Sequence, residues 1–504
     1  MSVLAVDIGT TRTKAALYDN DLRCRRTESV STAGISATGT FDVGAVIASL
    51  LDVIPRVVSE ANGSKAATGI SAVGITSFLS HIMYDAAGDV LGPGLSWSFQ
   101  PDRDALDACR NVCRTAGYQP ERPISSELLA PRLVHLARQQ PDLVGRIERV
   151  VCLKDAIRTA LCEDSDAWFV DWSVRDYSLL RDRTDAPITP ILDLLRAEGY
   201  GKPESLLPPA LPAHAPAGAL SAEWAHRLGL DAGIPLAAGA TDGTTAMYGG
   251  GILAENRIVA VFGTTDVVMR AAPAHQSAAA GPIAAGLSRN AAMRSDFEVV
   301  GGSTAASGSV GPWMDNLFGH GDDWESIPPG AQGIRVAPGF AGERAPWNRP
   351  DTRGMIEGLS LRHTGAHIRR AVLEAQVFRI RLLVERILEN TGGAGDPVLL
   401  GGGGNRTPAL DALRGNVLPW PLRWRRDREL SLCGAAMFAC AAPERDGAQR
   451  DRILVKLCNR AAADVQIGEG DQSDVNDDSP DKTVYSELYS EWVEWITRVF
   501  GGQR

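Results

Sequence analysis

Apolar positions at the start of the chain come in short runs broken by small polar residues. "VLAV" reads as a buried strand, "DIGTT" as a tight turn and "KAALYD" as a second strand that closes a hairpin. "AVGITS" (72–77) is another apolar strand, and "AAGD" is turn-like between two extended runs in "HIMYDAAGDVLG". Residues 125–144 have helical spacing interrupted by Pro131, and helix-like periodicity continues over 143–162 through "LKDAIRTAL". The longest helical signal is 367–393. There Ala371, Leu373, Val377, Ile380, Leu383 and Ile387 recur at helical spacing, and Gly392–Gly393 supply the stop. A last amphipathic helix, "YSELYSEWVEWITRVF", puts Trp492 and Trp495 on one face as packing residues.

Between these elements the composition shifts. Residues 183–222 are proline-rich and read as surface connections around one short helix, while from 235 the chain turns to Gly, Ala, Thr and Val. "IVAVFGTTDVVM" (258–269) repeats the N-terminal design of strand, Gly-Thr-Thr turn and strand. At 504 residues the chain exceeds one ordinary core, so two domains of similar build are expected, 1–235 and 236–504. "DPVLLGGGGN" then gives a strand and a glycine loop, "TPALDALRGNVL" a helix, and the acidic, breaker-rich 469–482 a loop.

With 44% hydrophobic and 22% charged residues, the composition is that of a globular protein. A formal charge of -10 argues against a nucleic-acid partner, which needs clustered Lys and Arg. It does not argue against ATP, because backbone N–H groups and a cation hold phosphates locally. The cysteines at 24, 109, 113, 152, 162, 433, 440 and 458 include no C-x-x-C and suit neither zinc nor a disulfide scaffold. The N-terminus lacks a basic n-region, and no apolar run approaches the ~18 residues of a membrane span. A cytoplasmic location without a membrane partner is expected, and a homodimer is allowed.

Several stretches carry chemistry. In "DIGTTRTK" Asp7 ends a buried strand, and the turn behind it aims N–H groups and the Thr10 and Thr11 hydroxyls one way, suiting a phosphate. The carboxylate suits Mg²⁺, directly or through water. Lys14 is open to two readings, a phosphate contact or a solvated charge. "FGTTD" (262–266) offers a second loop of the same kind, with Gly263, Thr264 and Thr265. The glycines of "LLGGGGN" permit close backbone approach to a flat ligand such as adenosine. A P-loop motif is lacking. In "IPLAAGATDGTTAMYGGGI" a lone carboxylate, Asp242, stands among small residues, as a turn former or as a catalytic base.

Taken together and in this order, these segments, with "LKDAIRTAL", "GERAPWNRPDTRG", "RAVLEAQVFRIR" and "LCGAAMFA", resemble the FGGY family of carbohydrate kinases. That family belongs to the actin-like ATPase superfamily. Within it "GERAP…RG" with "GATDG" looks closest to gluconate kinases and xylulose-kinase-like relatives. The resemblance implies an α/β fold of two ribonuclease-H-like domains with an interdomain cleft for ATP and sugar. It implies Asp242 as general base, Asp7 as the Mg²⁺ carboxylate, and Thr10, Thr11, Lys14, Gly263, Thr264 and Thr265 at the phosphates. Gly402, Gly403 and Asn405 fall in the adenosine segment, with Gly434 and Ala435 beside it. The expected substrate is a sugar, sugar acid or polyol.

The sugar side departs from the family pattern. Where Trp-x-Asp-x-Arg is expected, "LSWSFQPDRD" keeps Trp97 but has Phe99 and Pro101, with Asp102 and Arg103 following as substitutes if the loop shifts. His81 matches a position near the sugar and is open to a second reading as a structural histidine, and "DWSVRDYS" keeps Asp171 and Ser173. Unpaired hydroxyls in a closed cleft cost about 1–3 kcal/mol each, so Phe99 and Pro101 point equally to a less polar cyclic polyol or glycoside. "LRWRRDRE" (422–429) reads as a solvated basic face, with a nucleotide-edge or subunit contact as the alternative. Two other functions remain: a glycoside hydrolase pairing Asp242 with Glu343, and a non-catalytic actin-like nucleotide-binding protein.

Overall fold

In the computed structural model the described residues are 2–59, 69–164, 168–263, 265–279, 286–319, 323–349, 351–392, 398–401, 407–425, 429–467 and 480–501. Thr264, Gly402, Gly403, Asn405 and most of the acidic 469–482 segment lie outside them. The chain packs as two compact units. One comprises Met1–Gly249, Asn290–Ser295 and Glu429–Arg460, and the other Gly250–Arg289, Asp296–Arg428 and Ala461–Arg504.

The first unit is built on β1 (Ser2–Ile8), β2 (Arg12–Asp19), β3 (Cys24–Ser31), β4 (Ile70–Ser77) and β5 (Pro235–Ala237). Their order across the sheet is β3-β2-β1-β4-β5, with Pro216–Ala219 at the far edge. β1 to β3 pair antiparallel, whereas β4 runs parallel to β1 and β5 parallel to β4. The central strands are buried on both faces, which is why "VLAV" and "AVGITS" read as unbroken apolar runs. Helix α1 (Val43–Val58) starts where Asp42 Oδ1 accepts the Ala45 N–H at 2.9 Å. Its Val46, Leu50, Val53 and Val57 stripe enters the core with Leu4, Val6 and Ile75.

The second unit repeats that plan with β6 (Arg257–Phe262), β7 (Asp266–Pro273), β8 (Phe297–Ser303), β9 (Val398–Gly401) and β10 (Leu422–Arg425). The order is β8-β7-β6-β9-β10, flanked by Ser288–Ala291 and Val465–Ile467. The first three strands again pair antiparallel and the next two parallel. Both sheets thus carry the same three-two-one-four-five arrangement, the ribonuclease-H-like build.

Four further helices matter for the site: α2 (Leu153–Leu161), α3 (Asp242–Gly249), α4 (Gly365–Thr391) and α5 (Leu430–Ala441). α4 ends at Gly392, which takes the left-handed conformation (φ 62°) that the glycine pair announced. Trp492 and Trp495 are buried against the second core, as expected of packing residues. The stretch 143–162 is not one helix. A short helix, Pro141–Val144, and α2 are separated by the strand Arg149–Val151, because a short apolar run fits either period. Among the described residues no helix is long and apolar enough to cross a membrane.

Candidate active site

The turn between β1 and β2 is closed by the Gly9 N–H donating to the Arg12 carbonyl at 3.0 Å. It leaves Thr10 half-buried and Thr11 exposed. Asp7 ends β1 directly opposite Lys14 on β2. Its Oδ1 is buried without a hydrogen-bond partner. Burial, helped by the charge of Asp242 and by Glu429, pushes the Asp7 carboxyl up to about 7, against a smaller opposing pull from Lys14. Lys14 Nζ lies 2.6 Å from Glu429 Oε2. Asp242, Lys14 and Glu429 thus all act electrostatically on Asp7.

Asp242 opens α3, where its Oδ1 accepts the Gly243 N–H at 2.6 Å. Burial raises its pKa to about 6, and the Gly243 bond holds it down. The segment leading to it is fastened at every step. Lys154 Nζ donates to the Ala238 carbonyl at 3.4 Å, and Thr76 Oγ1 to the Ala240 carbonyl at 2.7 Å. The Thr241 N–H donates to Ser173 Oγ at 3.1 Å. Gly239 has φ 69°, and a Cβ there would stand 2.0 Å from the Ile75 carbonyl oxygen. The glycine is thus required by close backbone approach. Gly239→Ala is expected to cost about 1–3 kcal/mol of stability through overpacking. If Asp242 takes part in the reaction, it should also cut turnover up to about 100-fold, because the Asp242 carboxylate is displaced. Urea unfolding beside steady-state rates checks both, and a wild-type rate would show that turnover does not depend on this packing.

Asp171 is fully buried under this segment. Its Oδ1 lies 2.9 Å from Lys154 Nζ, and its Oδ2 accepts the Ser173 N–H at 2.6 Å. Lys154 also meets Asp155 Oδ1 at 2.5 Å, and these carboxylates, overcoming burial, raise its pKa. Asp171 thus holds Lys154 and the Ser173 backbone beneath the segment 238–241. Asp102 is exposed; its Oδ2 accepts from Gln139 Nε2 at 2.7 Å, and its N–H donates to His135 Nδ1 at 3.2 Å.

His81 is buried on the strand Ser80–Tyr84. Its Nδ1 lies 3.1 Å from Arg132 Nη1, and its Nε2 is buried without a partner. Burial and the neighbouring guanidinium hold its pKa well below the usual histidine value, so the ring is neutral. Arg132 is the cation that sequence reasoning missed. Fully buried, it donates to the carbonyls of Leu95, Trp97, Phe99 and Ser126, fixing the "WSF" segment by its backbone. Trp97 is partly exposed, and Phe99 packs edge-on against His135. Gly39 admits the Phe99 backbone, since a Cβ there would fall 2.4 Å from its nitrogen.

In the second unit, the Gly263 carbonyl accepts the Gly308 N–H at 2.9 Å, and the Asp266 N–H donates to Thr304 Oγ1 at 2.9 Å. Thr265 is half-buried between them. Beside this loop opens a pocket with Gly263, Asp266, Ser307 and Gln376 as polar lining and Phe262, Leu373 and Leu410 as apolar lining. Arg414 lies 4.2 Å over the Phe262 ring at its wall. Glu343 is fully buried with Arg379, Nη1 standing 3.1 and 3.0 Å from its two oxygens. Arg379 Nη2 donates to the Ala306 carbonyl at 2.5 Å, and Gln376 to the Ser307 carbonyl at 3.2 Å. Glu343 is thus a brace for the loop beside Gly263, with no oxygen open as a hydrolytic acid.

Gly434 and Ala435 belong to helix packing. A Cβ on Gly434 would meet the Thr245 carbonyl at 2.0 Å, and one on Gly74 the Ala435 carbonyl at 2.1 Å. Magnesium takes oxygen ligands, often one or two carboxylates completed by water and phosphate. The unpartnered, buried Asp7 Oδ1 fits that requirement. Among the described residues no three His, Cys, Asp or Glu form a metal cluster.

Residues 2–249 match the N-terminal domain of the FGGY family of carbohydrate kinases, and residues 258–442 its C-terminal domain. A xylulose kinase of Staphylococcus epidermidis is 22% identical over 372 residues, covering 71% of either chain. An L-fuculokinase of Salmonella typhi is 24% identical over 457 residues, 86% of this chain and 91% of that protein. The crystal structure of a gluconate kinase from Lactobacillus acidophilus superposes with a TM-score of 0.80 at 18% identity, covering 100% of this chain and 98% of that one. The two matched domains, on two sheets of one plan, establish that the chain belongs to the FGGY family of carbohydrate kinases, ATP-dependent phosphotransferases with an alcohol group as acceptor.

Proposed function

We propose that the chain transfers the γ-phosphoryl group of ATP to a hydroxyl of a gluconate- or xylulose-like sugar, with Asp242 accepting the hydroxyl proton. The observation that carries the reading is the fastening of the Asp242 segment. Four separate contacts hold residues 238–241 and so place the Asp242 carboxylate, whose pKa, about 6, suits proton transfer near neutrality. Phosphoryl transfer asks for positioning and charge neutralisation more than for covalent chemistry. Thr10, Thr11 and Lys14, with Gly263, Thr264 and Thr265, take the phosphates. Gly402, Gly403 and Asn405 take the adenosine, and Asp7 holds Mg²⁺, which neutralises phosphate charge when bound. His81 offers its free Nε2 to a substrate hydroxyl and Trp97 a flat wall. Asp171 fixes the loop below them. In this reading 1–235 carries the sugar side and 236–504 the catalytic Asp and nucleotide. Dependence on ATP and eight free thiols go with a cytoplasmic location.

A second reading, a less polar cyclic polyol or glycoside as acceptor, is favoured by one observation. Phe99 stands where a polar residue was expected, and Arg132 is taken up by backbone carbonyls. An ADP-release assay of the full chain over aldonates, ketoses, polyols, cyclitols and glycosides separates the two. Stimulation by aldonates or ketoses supports the first, and by cyclitols or glycosides alone the second. Stimulation by none sinks both and leaves a nucleotide-binding protein without turnover.

A further inference from the structure

Asp7 and Lys14 are directly paired across β1 and β2, so their side chains share a face. Cross-strand Cβ atoms stand roughly 4.5–5.5 Å apart, well within reach of a lysine stem. An Asp7–Lys14 ion pair is therefore the default contact. Instead, the Lys14 ammonium lies 2.6 Å from Glu429, and Asp7 Oδ1 keeps no hydrogen-bond partner. We infer that Glu429 is a positioning residue that draws Lys14 away from Asp7 and so keeps the Asp7 carboxylate open to a divalent cation.

The placement of Glu429 is built for this. It stands at the N-cap position of α5, but its side chain makes no capping bond. α5 itself is locked to the first unit, since Gly434 touches the Thr245 carbonyl and Gly74 the Ala435 carbonyl. The Glu429 backbone is thereby fixed with respect to β1. Both partners of the ion pair are partly exposed, 29% for Lys14 and 40% for Glu429. Such a pair adds little to stability, so its effect lies in where it holds the ammonium.

The inference rests on Asp7 as cation ligand, and the experiment separates the two claims. Mn²⁺ is titrated into the full chain and free Mn²⁺ is read by electron paramagnetic resonance, with folding checked by circular dichroism. Glu429→Gln is expected to weaken Mn²⁺ binding about threefold to tenfold, as Lys14 turns to Asp7. Adding Lys14→Met to Glu429→Gln removes the competitor and should restore binding, which a merely structural role of Glu429 would not do. Unchanged binding in Glu429→Gln, or no recovery in the double variant, overturns the inference. Asp7→Asn is the control: Mn²⁺ binding indifferent to it overturns the Asp7 reading itself.

Discussion

Asp242→Asn is expected to lower sugar-stimulated ADP formation about 100- to 10,000-fold, the usual cost of removing a general base. Asparagine keeps the size of the side chain and an acceptor for the Gly243 N–H, so the fold should survive. The acid limb of the pH profile tests the same assignment. Burial raises the Asp242 pKa to about 6, and only the ionised carboxylate accepts a proton. At saturating Mg²⁺ the kcat/KM of the wild type should therefore fall tenfold per pH unit below about pH 6 and level off above it. Residual activity of the variant should lack that limb. A second limb from Asp7, which sits at about 7 in the free protein, should move to lower pH as Mg²⁺ is raised, because a bound cation favours the carboxylate. Wild-type turnover in the variant, or the same limb at pH 6, would remove Asp242 from the role.

What could be read in the sequence was local. The hairpin around Gly9 is fixed by seven consecutive residue pairs, and the end of α4 by one glycine in a left-handed conformation. Both signals lie within a few residues of their effect. Asp7 and Asp242 stood out because a lone carboxylate among small apolar residues is unusual on any strand or turn. The contacts that tune them are long-range. Glu429 is 415 residues from Lys14, and its own segment looked like a solvated basic face. Arg132 works by donating to backbone carbonyls, which leaves no trace in the identity of the residues it holds. Asp171 shows the converse. Its motif suggested a sugar contact, but whether a carboxylate meets solvent or a buried lysine depends on tertiary burial, here complete. The departures at Phe99 and Pro101 were visible; the hold of Arg132 on the Trp97 and Phe99 carbonyls was not.

The largest stability effects are expected at Arg379 and Glu343, both fully buried. Burial outweighs the attraction of Arg379 and raises the Glu343 pKa, so the pair is not a strong net stabiliser. Removing half of it is another matter, because the remaining charge is stranded. Glu343→Ala should cost about 3–5 kcal/mol, since arginine cannot shed its proton. Arg379→Met should cost a similar amount at pH 8 but less at pH 5. Without Arg379 the Glu343 pKa rises further above its unfolded value, so the penalty of ionisation is present above that pKa and relieved as pH falls through it. The double variant Arg379→Met/Glu343→Leu should lose less than the sum of the two single losses, because no charge is left unpaired. Urea unfolding at the two pH values reads all three. Equal losses for Arg379→Met at pH 5 and pH 8 would mean that solvent or another group already compensates Glu343. The same brace carries the Ala306 carbonyl, one residue from the Ser307 wall of the pocket. Arg379→Lys, which keeps the charge but not the fork, should therefore raise the KM for ATP while leaving that for the sugar unchanged.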